Sequence, residues 1–75
     1  MTNVIKDVDR AYFGLKLYEA RTAKGMTQSE LAEILEVSDR IIYDYESGKK
    51  IPGPAKLVII ALTLQVSLDS ILRLA

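Results

Sequence analysis

Apolar residues return along this chain at intervals of three and four, and the pattern is interrupted at Gly25 to Thr27, at Val37-Ser38, at Gly48 to Pro54 and again near Ser67. From about Val8 to Lys24, the residues Ala11, Phe13, Leu15, Leu17 and Tyr18, with Ala20 behind them, predict a first helix that Gly25 ends. Gly14 within it costs some helix stability. Thr27 is placed to accept a backbone N–H while Glu30 reaches back to the Thr27 amide, a capping box ahead of a buried face of Leu31, Ala32, Ile34 and Leu35. Ser38 suits the N-cap of a third helix, with Ile42 and Tyr45 at i+4 and i+7 and Gly48 at its end. Two prolines make Lys49 to Pro54 a loop. Alanine 55 through Gln65 forms a fourth helix, and Ser67 caps a short fifth in which Leu68, Ile71 and Leu72 face inward and Asp69 sits in the first turn. The expected architecture is all-α: five helices in one compact orthogonal bundle over residues 8–75, behind a flexible arm at residues 1–7.

Helices two and three, joined by a tight turn, have the pattern of a helix-turn-helix, a device for placing one helix in the DNA major groove. From about Leu15 to Leu72 the chain resembles the lambda-repressor-like (Cro/C1-type) helix-turn-helix family, which includes phage repressors, restriction-modification controllers and antitoxins. The resemblance rests on Arg21 before Lys24-Gly25, Met26-Thr27-Gln28 with Leu31-Ala32, Val37-Ser38, Ile42, Glu46-Ser47-Gly48-Lys49, Pro52, and the closing Leu64-Gln65-Val66-Ser67-Leu68-Asp69. It implies a phosphate grip by Gln28 at the start of helix two. It also implies a largely buried ion pair between Arg21 and Glu46, tying helix one to the end of helix three. Asp39, Arg40, Tyr43 and Asp44 match the positions that point toward base edges, with Ile41 at the margin. Arg40 is the leading candidate, because a guanidinium can make two parallel hydrogen bonds to guanine O6 and N7. Tyr43 is a candidate for a thymine methyl or a phosphate, against the plainer role of covering apolar surface. Asp39 and Asp44 are candidates for cytosine N4, and Asp39 alternatively stabilises its helix N-terminus. Lys49 and Lys50 follow Gly48, where they are placed to meet phosphates. Glu36 stands where the family usually has glycine.

With 75 residues, 49% of them apolar, the chain makes a single small domain near the lower size limit for independent folding. It has no cysteine and no histidine, which removes disulfides, thiolate chemistry and the commonest general base and metal ligand. Its carboxylates form no paired constellation, and no glycine-rich loop cradles a phosphate, so neither an enzyme nor a metal or cofactor site is expected. The longest apolar stretch, Leu57 to Leu64, falls well short of the roughly 20 residues that cross a bilayer. Without a secretory signal in MTNVIKDVDR, the expected location is cytoplasmic and away from membranes.

Charge complicates the DNA reading. The net charge is zero, but Met26 to Glu46 holds one base, Arg40, against six acids, a net of −5. The flanks compensate: five bases and three acids up to Gly25 leave +2, and four bases and one acid after Glu46 leave +3. Phosphate affinity must therefore come mainly from the edges of the motif.

The fourth helix is apolar nearly all round. Val58, Ala61 and Leu64 are its expected core face, so Ile59 and Leu62 form a second apolar face, joined by Leu74 of helix five. The expectation is a two-fold homodimer through helices four and five, setting two recognition helices about one DNA turn apart on a palindromic double-stranded operator. The chain ends directly after helix five, which leaves no expected room for a ligand-sensing domain. The leading reading is a dimeric repressor of phage-switch, restriction-controller or antitoxin type. The second is a protein-interaction module whose helix four takes a protein partner, with DNA binding weak or lost.

Overall fold

The computed structural model describes residues 8–75 and arranges them as α1 (Arg10–Ala23), α2 (Gln28–Leu35), α3 (Asp39–Glu46), α4 (Pro54–Leu64) and α5 (Leu68–Ile71). The arm expected at residues 1–7 lies outside the described residues. Four of the five helices start on a side-chain cap; α4 starts at Gly53 with Pro54 in its first turn and has none. Asp9 accepts from the Tyr12 amide, and this bond, with Arg73 nearby, holds the Asp9 carboxyl below its ordinary pKa. Thr27 and Glu30 complete a reciprocal capping box, and Ser38 and Ser67 accept from the amides of Ile41 and Ser70. Such caps matter here because eight-residue helices have little stability of their own.

Phe13, Leu17, Leu31, Leu35, Ile42 and Ile60 are completely enclosed, and Tyr45, Leu64 and Ile71 close the core around them. Two positions expected inside, Ile34 and Val58, fall elsewhere. Ile34, Leu15, Tyr18 and Val58 are exposed, whereas Ile60 is buried. At 100° per residue Ile34 lies roughly 100° from the centre of the Leu31/Ala32/Leu35 stripe, too far round to reach the core. In α4 the inward stripe is Leu57, Ile60 and Leu64, with Ala61 half-buried beside it, so Val58 joins Ile59 and Leu62 on the outside. Leu62 is 73% exposed.

The fifth helix is shorter than expected. It stops at Ile71, Leu72 turns extended, and Leu74 pairs with Val8 in an isolated antiparallel bridge. The Asp9 amide donates to the Arg73 carbonyl at 2.8 Å, and Arg73 Nε reaches the Asp9 carboxylate at 3.2 Å. Arg73 also lies over the Tyr12 ring, and the Tyr12 hydroxyl donates to the Ser70 carbonyl. Leu74 is thus part of a clasp onto the start of α1, with its side chain exposed.

Gly14 has a positive role. A Cβ there would meet the carbonyl oxygen of Tyr45 at 2.7 Å and come closer still to that of Glu46, so its lack of a side chain allows α1 to touch the end of α3. The turn after α2 makes the opposite choice: Glu36 holds a left-handed φ of 57° that glycine would adopt freely. Gly14→Ala, normally a gain of about 1 kcal/mol in a helix interior, is expected to destabilise by about 1–3 kcal/mol because the obstacle is backbone. Glu36→Gly is expected to stabilise by about 1 kcal/mol. Urea unfolding of the two variants checks both signs.

Candidate nucleic-acid interface

The α2-turn-α3 unit is set by three local devices. Glu36 turns the chain left-handed, Val37 N–H returns to the Ala32 carbonyl at 3.0 Å, and Ser38 restarts the helix. Lys56 adds a fourth from outside the unit, its ammonium donating to the Leu35 carbonyl at 3.0 Å and so capping the end of α2 from α4. The sequence pattern does not point to Lys56, since only the tertiary fold brings it to α2.

The Arg21–Glu46 pair lies where α1, α2 and α3 meet. Arg21 Nε and Nη2 donate to the two Glu46 carboxylate oxygens at 2.6 and 3.0 Å, and Nη1 donates to the Met26 carbonyl at 2.8 Å. Both side chains are almost fully enclosed, and the carboxylate raises the Arg21 pKa further. Gln28 joins this cluster: its Nε2 donates to Glu46 Oε1 at 3.0 Å. One of the two amide N–H groups expected to serve a phosphate is therefore spent on Glu46.

On α3 the four expected base-facing residues divide. Arg40 is free to reach outward, with a side chain 69% exposed and its guanidinium over the Tyr43 ring at 5.3 Å. Tyr43 is half-exposed, with Lys49 at 5.9 Å from the ring centre, so two cations lie within cation–π range of its ring. Asp39 is exposed and accepts from the Ser29 hydroxyl, bridging the first turns of α2 and α3. Asp44 is the correction. It is only 7% exposed, and its carboxylate is held by Arg40 Nε at 3.1 Å and faced by Lys50 Nζ at 3.8 Å, so it is not presented to a base.

Lys49 and Lys50 are both exposed, and their amides converge on the Asp44 carbonyl. Arg10, which the sequence pattern does not single out, donates from Nη1 to the Lys49 carbonyl at 3.3 Å and adds a third cation beside this loop. A surface results with Arg40, Tyr43, Lys49, Lys50 and Arg10 near the outer side of α3 and its exit loop, while most of the motif's acids lie on α2 or are engaged. Among the described residues no cluster of acids could hold a metal ion, and no helix is long and apolar enough to cross a membrane.

Residues 17–71 match the pattern of the HTH_3 helix-turn-helix family. An uncharacterized HTH-type transcriptional regulator of Rickettsia conorii, RC0668, is 31% identical over 67 residues, covering 89% of this chain and 53% of that protein. The chain thus spans about half the length of the curated relatives it matches first. Among solved structures, the restriction-modification controller C.AhdI of Aeromonas hydrophila superimposes with a TM-score of 0.75 at 27% identity, over 84% of this chain and 96% of that one. The master regulator for biofilm formation SinR, solved in complex with DNA, gives a TM-score of 0.70 at 27% identity, over 79% and 95%.

Removing either half of the buried pair, by Arg21→Met or Glu46→Leu, is expected to cost about 3–5 kcal/mol by stranding a charge, while the double variant loses less than the sum. A double-mutant cycle in denaturant reads the difference directly.

Proposed function

Because this chain belongs to the HTH_3 helix-turn-helix family of DNA-binding transcription regulators, we propose that it recognises a specific palindromic operator as a homodimer and represses by occluding a promoter. The observation that carries this reading is the outward guanidinium of Arg40, the single base in an otherwise acidic motif, on the exposed side of α3. Arg40 is assigned the base contact, with Tyr43 beside it and Asp39 at the helix start. Gln28, Lys49 and Lys50 are assigned to phosphates, helped by the first-turn amides of α2. The action is steric and has no catalytic step. Because the motif is acidic, non-specific binding is weak, and affinity depends on the flanking cations.

The homodimer is supported by the outer stripe of α4, where Val58, Ile59 and Leu62 stand exposed in helical succession. Apolar side chains in such a row are stabilised by a second apolar surface. Leu74, exposed at the end of the chain's clasp, is assigned to the same interface. A restriction-controller, phage-switch or antitoxin role fits a regulator of this form. The same stripe supports a second reading, in which α4 holds a different protein and DNA is bound weakly.

Selection of bound duplexes from a random pool at moderate salt tests the proposal. Wild-type protein is expected to enrich a palindrome, and Arg40→Ala to lose one base preference worth about 1–3 kcal/mol. Lys49→Ala is expected to weaken binding evenly across sequences and reduce the salt slope by about one. A folded wild-type protein that enriches nothing overturns the DNA reading; a monomeric mass for the enriching protein overturns the homodimer.

A further inference from the structure

Arg40 is held in a particular attitude. Its Nε donates to Asp44 Oδ1 one helical turn on, and its guanidinium stacks over Tyr43. The side chain nevertheless stays 69% exposed. A carboxylate on Nε and a ring under the plane constrain both the position and the tilt of the guanidinium, while Nη1 and Nη2 have no acceptor among the described residues. Those two nitrogens are the fork that a guanine edge can engage through O6 and N7.

Asp44 itself cannot be a reader, since it is buried beneath Arg40 and Lys50. Its charge also works against affinity, because it offsets two of the few cations near a phosphate backbone. Beyond the i,i+4 helix pair that it forms with Arg40, a carboxylate that offsets nearby cations while fixing the one exposed arginine of the motif favours discrimination over affinity. We propose that Asp44 is a positioning residue for base recognition: it pre-orders Arg40 for one base edge and restrains Lys50 from indiscriminate phosphate binding, so that specificity is gained at the expense of affinity. The proposal rests on the DNA-binding reading above, and it assigns Asp44 a role opposite to that of a direct contact.

The inference separates from an ordinary structural role by sign. Loss of a merely structural group lowers affinity for every duplex together. Loss of a positioning carboxylate frees Arg40 and Lys50, so binding to arbitrary duplex rises while preference for the operator falls. Asp44→Asn divides the two effects further, because its amide oxygen still accepts from Arg40 Nε but carries no charge.

The experiment uses the operator enriched by the wild-type chain and the same duplex changed at the base pair whose preference Arg40→Ala loses. Dissociation constants for both duplexes, and for an unrelated one, are measured for wild type, Asp44→Ala, Asp44→Asn and Asp44→Ser at one salt concentration, with folding checked by circular dichroism. The expected result is an order of magnitude less discrimination for Asp44→Ala, tighter binding to the unrelated duplex, and discrimination largely retained by Asp44→Asn. Asp44→Ser serves in place of Asp44→Ala if the alanine variant does not fold. Undiminished discrimination in the folded variants overturns the positioning role and leaves the operator reading intact, as does an equal loss on all duplexes. A wild-type chain that enriches no operator, or an Arg40→Ala variant that loses no base preference, overturns the assignment of Arg40 and with it the role of Asp44.

Discussion

The geometry of this domain depends on one enclosed ion pair. Arg21 and Glu46 join the end of α1 to the end of α3, and the third guanidinium nitrogen reaches the Met26 carbonyl in the turn before α2. Gln28 adds α2 to the same carboxylate. Apolar packing is non-directional and can hold eight-residue helices together without fixing their mutual angle. A bidentate charge pair is directional, and here its acid belongs to Glu46, the same residue whose backbone carbonyl Gly14 allows α1 to approach. The small core supplies cohesion, and the pair supplies orientation to the helix that carries Arg40.

Electrostatics in the motif follow from which charges are occupied. Six acids against one base suggest a surface hostile to a polyanion. In the structure Glu46 is paired with Arg21 and Asp44 with Arg40, while Glu30 and Asp39 keep their charge and accept from the Thr27 amide and the Ser29 hydroxyl. The Thr27 bond also depresses the Glu30 pKa, so this acid stays ionised where it complements the helix N-terminus. Formal charge per segment therefore overstates the repulsion at the exposed edge of α3, where Arg40, Lys49 and Lys50 stand.

Local chemistry was legible in the sequence and close tertiary approach was not. The caps at Thr27 and Ser38 and the glycine ends are recorded in a few adjacent side chains, so they can be read without knowing the fold, whereas position 36 drew notice only through the family resemblance. Resemblance to a family indicated the Arg21–Glu46 pair, which no spacing rule could supply. Ile34 and Val58 were misplaced because a helix rich in apolar residues supports more than one stripe, and only the neighbouring helices choose between them. Asp44 occupies a nominally outward position on α3, and its pairing with Arg40 and with Lys50 from the loop is set by the folded chain. Gly14 reads as a weakness in isolation, and its necessity is written in the carbonyls of α3.

The bond from Lys56 to the Leu35 carbonyl ties α4 to the corner of the helix-turn-helix. The outer stripe of α4 begins within a turn of that bond, with Val58 and Ile59. The stripe therefore belongs to an element latched to the turn from which α3 departs. The stripe and the corner of the helix-turn-helix thus share one element, α4, and one hydrogen-bonded junction.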